Sequence, residues 1–400
     1  MKAGLPASEP KLLDRWEKIG LWSRLRESTR GSKKFILHDG PPYANGPIHI
    51  GTAMNKILKD LVNRSYQMMG YDAHFIPGWD CHGLPIEWQI EQEYRRKGES
   101  KGAVSVVEFR KECRAYADHW IRAQMADFKR LAVLGAWDRP YLTMSFAAEA
   151  QIVRELGKFL INGGLYKGSK PVMWSPVEKT ALAEAEVEYK DVTSTAIYVR
   201  FPVVKGSDDA LKGSSIVIWT TTPWTIPGNR AVAFGPEIVY GVYEIEAIKP
   251  SSLMVQGERV VLAEALAEAF AERAGIEKWR LISKILGEEF SGTLTRHPFF
   301  EAGYPIEAPL FSGAFVSTEQ GTGFVHIAPG HGADDFELGR RHGLEVPETI
   351  SDSGSFLPEI PLFGGSHVYK VNPDVIHRLQ EYGKLVARES YVHSYPHSWR

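Results

Sequence analysis

Cysteine is nearly absent from the 400 residues: Cys81 and Cys113 are the only two. That count excludes a disulfide framework and a Cys-x-x-Cys zinc knuckle, and both are expected to be reduced thiols. No run reaches the ~20 apolar residues that span a bilayer, and the stretch from Met1 to Pro10 has no apolar segment behind Lys2. A cytoplasmic protein with no membrane contact is expected. An excess of charge is missing too: 47 basic and 49 acidic side chains leave a formal net charge of -2. Nucleic-acid contact must then be local, because no global positive field exists to drive it. The chain also lacks a Walker phosphate loop, a correctly spaced dinucleotide fingerprint, internal repeats and low-complexity tracts.

What is present is globular, with 44% hydrophobic and 24% charged residues, over a length that predicts two or three domains. Leu12, Leu13, Trp16 and Ile19 keep a helical period that Gly20 stops. Phe35 to His38 reads as a strand, Asp39-Gly40-Pro41-Pro42 as a turn, and the chain from Thr52 as a helix with Ile57, Leu58, Leu61, Val62, Met68 and Met69 on one face. A second run, Ala73 to Ile76, ends in Pro77-Gly78-Trp79-Asp80. Such alternation predicts a parallel α/β sheet, whose ligands bind beyond the carboxyl ends of the strands. Helices are expected at about 104–134 and from Phe146 to Ile161, the latter with Ser145 as N-cap. After Lys167 the composition turns to Val, Ile, Thr, Trp and Tyr, which predicts a mainly β region interrupted by helices at about 258–274 and 334–341.

The segment from His38 to Gly51 packs two histidines and small, rigid residues between a strand and a helix N-terminus, where free N–H groups and the helix dipole attract phosphate. Taken alone, a His-x-Gly there is also an ordinary capped βα connection, and Asp80 is either a partner for an ammonium group or a helix N-cap. Lys56 and Lys59 either reach phosphate or are solvated helix charges. Asp39-Gly40-Pro41-Pro42-Tyr43-Ala44-Asn45-Gly46, His49-Ile50-Gly51, and Gly78-Trp79-Asp80-Cys81-His82-Gly83-Leu84-Pro85-Ile86-Glu87 together resemble the N-terminal part of the class I isoleucyl-tRNA synthetases. The resemblance implies a Rossmann-like catalytic fold in which His49 and Gly51 hold the ATP phosphates. Gly40, Pro41 and Asp80 would bind isoleucine, with Asp80 on its α-ammonium group. Thr52 stands where the family signature ends in a second histidine. A hydroxyl donates one hydrogen bond but carries no imidazolium charge, so Thr52 inherits the catalytic position in a weakened form.

Two later segments extend the resemblance to the editing domain inserted into isoleucyl, valyl and leucyl synthetases. They are Trp219-Thr220-Thr221-Thr222-Pro223-Trp224-Thr225 with Asn229, and Gly321 to Asp335. The valyl and leucyl enzymes typically carry Thr-Thr-Arg-Pro, so the Thr-Thr-Thr-Pro form is isoleucyl-like. The resemblance implies that Asp335 anchors the α-amino group of a misattached amino acid. Thr220, Thr221, Thr222 and Asn229 would surround the ester and terminal adenosine, and His326 the side chain. A positioned water would perform the hydrolysis, since no residue set looks like a Ser-His-Asp triad. One methylene separates valine from isoleucine and supports discrimination of only about 1–3 kcal/mol, a magnitude the general rule itself takes from this enzyme family.

The implied layout is an incomplete Rossmann-like half over residues 1–165, a connecting hairpin over 166–195, an inserted mainly β editing domain over 196–385, and the start of a return to the catalytic fold over 386–400. No Lys-Met-Ser-Lys-Ser occurs, and the expectation is an N-terminal fragment without an anticodon-binding domain, unable to form adenylate alone. The implied substrates are isoleucine, ATP with Mg2+, and the isoleucine tRNA, handled by a monomer with no zinc in this segment. A free-standing hydrolase of mischarged tRNA and a catalytically dead tRNA-binding module remain the alternatives.

Overall fold

The computed structural model describes residues 4–99, 101–168 and 170–399; residues 1–3, which open the N-terminal stretch considered above, Ser100, Ser169 and the closing Arg400 lie outside the described residues. The chain divides into two compact units, Met1–Lys167 and Gly168–Arg400.

The first unit contains α1 (Leu5–Lys18), α2 (Leu21–Ser28), α3 (Ile50–Met68), β1 (Gly78–Trp79), α4 (Leu84–Lys97), α5 (Val106–Arg130), β2 (Tyr141–Leu142) and α6 (Phe146–Ile161). Its β contacts are parallel, as the alternation predicts: β1 pairs with β2, and bridges join Lys34 to Asp72 and Tyr43 to Asp80. The pairing is sparser than expected, for residues 35–38 and 73–76 form no continuous ladder. Pro41, Pro42 and Pro77 have no N–H to give, so the ladder breaks where the turns begin. The helix expected to reach 134 ends at Arg130, because Ala132 takes a left-handed φ of 65°. α6 has the expected limits, and the Ser145 hydroxyl caps it by accepting from the Ala148 N–H.

α3 departs most from expectation. Its buried residues are Lys56, Asp60 and Asn63, whereas the apolar face from Ile57 to Met69 is 39% to 84% exposed. The polar face turns inward because its charged groups find partners there. Lys56 and Lys59 both ion-pair with Asp39. Asp60 accepts from the Leu134 N–H at 2.9 Å and from Arg64 at 2.5 Å. The Lys56 ammonium also lies 5.8 Å from the Phe128 ring and 5.9 Å from that of Phe75.

The second unit is mainly β. Its elements are β3 (Trp174–Ser175), β4 (Thr180–Ala181), β5 (Val187–Lys205), β6 (Ser214–Thr220), β7 (Ala231–Phe234), β8 (Val239–Ile248), β9 (Arg259–Ala263), α7 (Ala267–Ala274), β10 (Ile276–Leu286), β11 (Leu294–Arg296), β12 (Glu307–Ser312), β13 (Phe324–Ile327), α8 (Ala333–Arg341), α9 (Val368–Glu381) and β14 (Leu385–Ser398). Among the described residues ten strands form one sheet in the order β10-β8-β9-β6-β5-β11-β12-β7-β13, with β14 added against β5. The first half of the helix expected over 258–274 is instead β9. Its Val260-Val261-Leu262 run is apolar throughout, a pattern shared by buried helices and buried strands, and β8 and β6 claim it as a strand.

Both faces of this sheet are covered. Ile197, Val199 and Phe201 of β5 join one core with Ile216, Ile218, Phe290 and Phe324, while the intervening Tyr198 joins a second core with Val217, Leu262 and Phe270. The period of two explains why the strand reads as a continuous apolar run. Beyond the cores, β5 and β14 continue as an antiparallel ribbon from Val199 opposite Leu385 to Val187 opposite Ser398. No helix among the described residues is long and apolar enough to cross a membrane.

Candidate functional sites

In the first unit the predicted residues fall in two places. His49, Gly51 and Thr52 stand at the N-terminus of α3, and Gly40, Pro41 and Asp80 about the turn that Asp80 bridges. His49 is the N-cap of α3, and Nδ1 accepts from the N–H groups of Gly51 at 3.1 Å and Thr52 at 3.3 Å. An accepting Nδ1 leaves the proton on Nε2, so the exposed edge of the ring is a donor. Gly51 suits this cap, since a Cβ there would lie 3.0 Å from His49 Cε1 and press the capping ring. Asp80 is drawn to the Gly40-Pro41 turn by its backbone, since the Ala44 N–H bonds its carbonyl at 2.8 Å and its own N–H bonds the Pro42 carbonyl at 3.0 Å. Its side chain caps no helix, for the N-cap of α4 is Gly83.

The lysines follow neither reading of the sequence. Both hold Asp39, and thereby pin the turn that carries Gly40 and Pro41 to α3. Burial lowers the Lys56 pKa, and Asp39 opposes that fall.

Gln124 and Tyr116, which the sequence reading missed, hold the next stretch. Gln124 Nε2 donates to the carbonyls of Tyr43 at 3.0 Å and Gly46 at 2.8 Å, and its Oε1 accepts from Trp79 Nε1 at 2.9 Å. Tyr116 donates to Asn45 Oδ1 at 2.8 Å. The available signal was a glutamine set among Phe109, Ala117, Ile121 and Phe128 on the buried face of α5. His82 lies 2.9 Å from Glu149, and both cysteines are free thiols, with burial pushing that of Cys113 up to about 11. Among the described residues no group of three His, Cys, Asp or Glu side chains could hold one metal ion.

In the second unit Thr220, Thr221, Thr222, His326 and Asp335 line one cavity of about 350 Å³, together with Trp219, Thr225, Gln320 and His331. Thr220 closes β6, and its hydroxyl accepts from the Thr222 N–H at 3.1 Å, so the next two threonines leave the strand as a turn. Asn229 does not line this cavity. It is fully buried and donates to the Ala231 carbonyl at 2.8 Å, which makes it a brace for the turn into β7.

Hydrogen bonding fixes the state of His326. The single hydroxyl proton of Thr225 goes to the Thr222 carbonyl at 2.9 Å, so Thr225 accepts from His326 Nε2 at 3.0 Å. The ring then carries its proton on Nε2, and Nδ1 is a buried acceptor with no hydrogen-bond partner among the described residues. Burial, with His331 nearby, lowers the pKa of His326 to about 4, and burial alone lowers that of His331 to about 4. Asp335 is pushed up to about 6 by burial, partly offset by the Ala328 N–H donated to its Oδ2 at 2.8 Å. The cavity thus combines hydroxyls, neutral imidazoles and one carboxyl that burial makes easier to protonate than a solvated one. Thr225 and His331 had no distinguishing sequence signal beyond their place in the two motifs.

A family profile described as tRNA synthetases class I (I, L, M and V) matches residues 11–382, and the chain belongs to that family. Its relatives include proteins named isoleucine–tRNA ligase. That of Pelagibacter ubique is 51% identical over 400 residues, covering 100% of this chain and 44% of its own length. Those of Gluconobacter oxydans and Bradyrhizobium diazoefficiens are 49% and 50% identical, with 43% and 42% of their lengths covered. The chain therefore spans less than half the length of these curated relatives. Among solved structures, the crystal structure of GlLeuRS-CP1 aligns with 48% of this chain and 98% of its own at 14% identity and a TM-score of 0.38.

Proposed function

We propose that this chain carries the ATP- and isoleucine-binding part of an isoleucine–tRNA ligase in its first unit and a hydrolytic editing pocket for mischarged valyl-tRNA in its second. Asp80, beside Gly40 and Pro41, pairs with the α-ammonium group of isoleucine. ATP, arriving with Mg2+ as a substrate, sets its phosphates against the α3 N-terminus, where His49 Nε2 donates and Gly51 permits close approach. Thr52 adds its hydroxyl there. These residues position the carboxylate of isoleucine for attack on the α-phosphate, so that the acyl–phosphate bond forms as the α–β phosphoanhydride bond breaks and pyrophosphate leaves, and the proximity of bound reactants supplies much of the rate.

The observation that carries the second half is the cavity of about 350 Å³ that Thr220, Thr221, Thr222, His326 and Asp335 line together. The ammonium of a misattached valine forms a charge-assisted hydrogen bond with the Asp335 carboxylate. The threonine hydroxyls orient the terminal ribose and a water against the ester carbonyl. His326, neutral and with a free acceptor at Nδ1, borders the side-chain space. Asn229 supports the turn from behind. The tRNA and the two small substrates are the partners of this reading.

The test is release of valine from valylated isoleucine tRNA by the full chain. Valine-selective release that Asp335→Ala lowers about 10- to 100-fold is expected from losing one charge-assisted contact. Equal release of valine and isoleucine, or release indifferent to Asp335, would overturn the editing assignment.

A further inference from the structure

One carboxylate joins three elements of the second unit to β14. The period of two along β14 places Glu389, Tyr391, His393, Tyr395 and His397 on one face of the ribbon. The last four form an aromatic file, with ring centroids 6.1, 5.7 and 5.8 Å apart in succession. Glu389 stands at its head, half-buried. Its Oε1 accepts from the Tyr198 hydroxyl of β5 at 3.0 Å and from Trp219 Nε1 of β6 at 3.1 Å, and its Oε2 pairs with Arg273 of α7. Burial alone would raise the Glu389 pKa; the hydrogen bonds from Arg273, Trp219 and Tyr198 outweigh it and leave the group below its usual value. An ionised carboxylate only accepts, so it serves all these donors at once.

Of the donors, Trp219 is the one that reaches a site. Glu389 does not line the threonine cavity, but Trp219 does, together with Gln320 and Gly321. Trp219 directly precedes Thr220, and its indole is confined from several directions. Glu389 takes its N–H, and Tyr391 meets its ring edge-on at 5.1 Å. Gly321 lies against it so closely that a Cβ there would stand 3.3 Å from Trp219 Cβ and 3.5 Å from Cε3. With a φ of 78°, Gly321 has a conformation that side chains rarely adopt, so the surface facing the ring stays bare. Tyr391 also donates to Gln320 Oε1. Two residues of β14 thus hold Trp219 and Gln320 without lining the cavity themselves.

We propose that Glu389 is a positioning residue for size selection in the threonine cavity: by holding the Trp219 indole against Gly321 it keeps the cavity at a width that admits valine and excludes isoleucine. The proposal rests on the editing reading for the identity of the substrate. Valine and isoleucine differ by one methylene, so a wall that shifts by that much cannot tell them apart. An indole without its acceptor has other staggered rotamers to visit, and its unpaired N–H favours one that reaches water. A clasp that served stability alone would leave selectivity untouched when cut.

The experiment uses the full chain with two readouts. The first is the indole N–H resonance of Trp219 in 15N-tryptophan-labelled protein, assigned by its loss in Trp219→Phe. Glu389→Ala is expected to move it and quicken its hydrogen exchange. The second is the ratio of valine to isoleucine release from isoleucine tRNA charged with either. Glu389→Ala is expected to lower that ratio about 10-fold, chiefly by raising isoleucine release. Tyr198→Phe removes the other donor to Oε1, leaves the Trp219 bond, and should keep the ratio. Trp219→Phe breaks the same bond from its other end and leaves Arg273 paired, so it carries the test if Glu389→Ala does not fold; it too should lower the ratio. The double variant should be no more permissive than Trp219→Phe alone. An unmoved resonance, an unchanged ratio in Glu389→Ala or Trp219→Phe, or losses that add would each overturn the proposal. Release that needs Asp335 but keeps its selectivity in Glu389→Ala overturns this proposal and leaves the editing reading standing. No release by the unaltered chain overturns the editing reading, and this proposal with it.

Discussion

The two units build their sites by opposite means. In the first, His49, Gly40, Pro41 and Asp80 are all exposed, and what fixes them is backbone: a helix N-terminus, a parallel bridge and a turn tied down by buried polar side chains. In the second, Thr220, Thr221, Thr222, His326 and Asp335 line a cavity where burial itself shifts the protonation of the histidine and the aspartate. An open site of main-chain donors suits a large, highly charged ligand that brings its own solvation. A concave site of neutral imidazoles and one half-buried carboxyl suits recognition by size and by a single cation.

That contrast is broken most severely by removing the buried braces. His297 is fully buried, with Nε2 donating to the Ile226 carbonyl at 2.9 Å and Nδ1 accepting from the Phe299 N–H at 3.1 Å. His297→Ala should cost the second unit about 3–5 kcal/mol, as for other large buried rings, measured by denaturant unfolding followed with hydrogen exchange. The first unit should keep its protection.

Acid should separate the units next. Burial holds His297 down to about 3, and His326 and His331 down to about 4, against an unfolded value near 6.5. Between those limits the unfolded chain binds protons that the folded chain refuses. Their stabilisation is complete above pH 6.5 and is lost as pH falls toward 4, at about 1.4 kcal/mol per pH unit for each. Asp335 acts in the opposite sense, binding a proton in the folded state up to about pH 6. Three groups against one leave a net acid destabilisation of the second unit between pH 6.5 and 4.5. Urea titrations at several pH values, read on tryptophans of that unit, would show a flat profile if the assignment is wrong. Valine release should also fall below about pH 6 as Asp335 protonates, and Asp335→Asn should flatten that limb.

Gln124→Ala is the matching probe of the first unit. It strands two carbonyls and one indole N–H at about 1–3 kcal/mol for a buried unsatisfied group. Its distinguishing outcome is a raised KM for ATP in a chain capable of adenylation, with valine release intact. Ser145→Ala should be the smallest effect, about 1 kcal/mol for a lost N-cap, visible as faster exchange in the first turn of α6.

Legibility in the sequence followed the same divide between local and distant causes. The limits of α6 were readable because a cap and a period lie within the segment. The apolar face of α3 was readable too, but periodicity says which residues share a face and not which face turns inward; Asp39, Leu134 and two aromatic rings decided that. Residues 258–263 were ambiguous because an unbroken apolar run fits a helix or a strand until its neighbours are known. At the sites, resemblance to a family picked out Thr220–Thr222, His326 and Asp335, which share one cavity, and also Asn229, which stands behind it. Gln124, Thr225 and His331 meet partners 18 to 101 positions away, and no spacing rule announces such contacts.

The ribbon of β5 and β14 has one more consequence, for insertions and deletions. Side chains in a strand alternate faces, so the aromatic file depends on counting parity. Deleting one residue between Leu385 and Tyr391 would exchange Tyr391, His393 and Tyr395 for Val392, Ser394 and Pro396 on the same face. Deleting two would shorten the strand yet return the rings to their side. The segment should therefore tolerate length changes in steps of two and reject single steps.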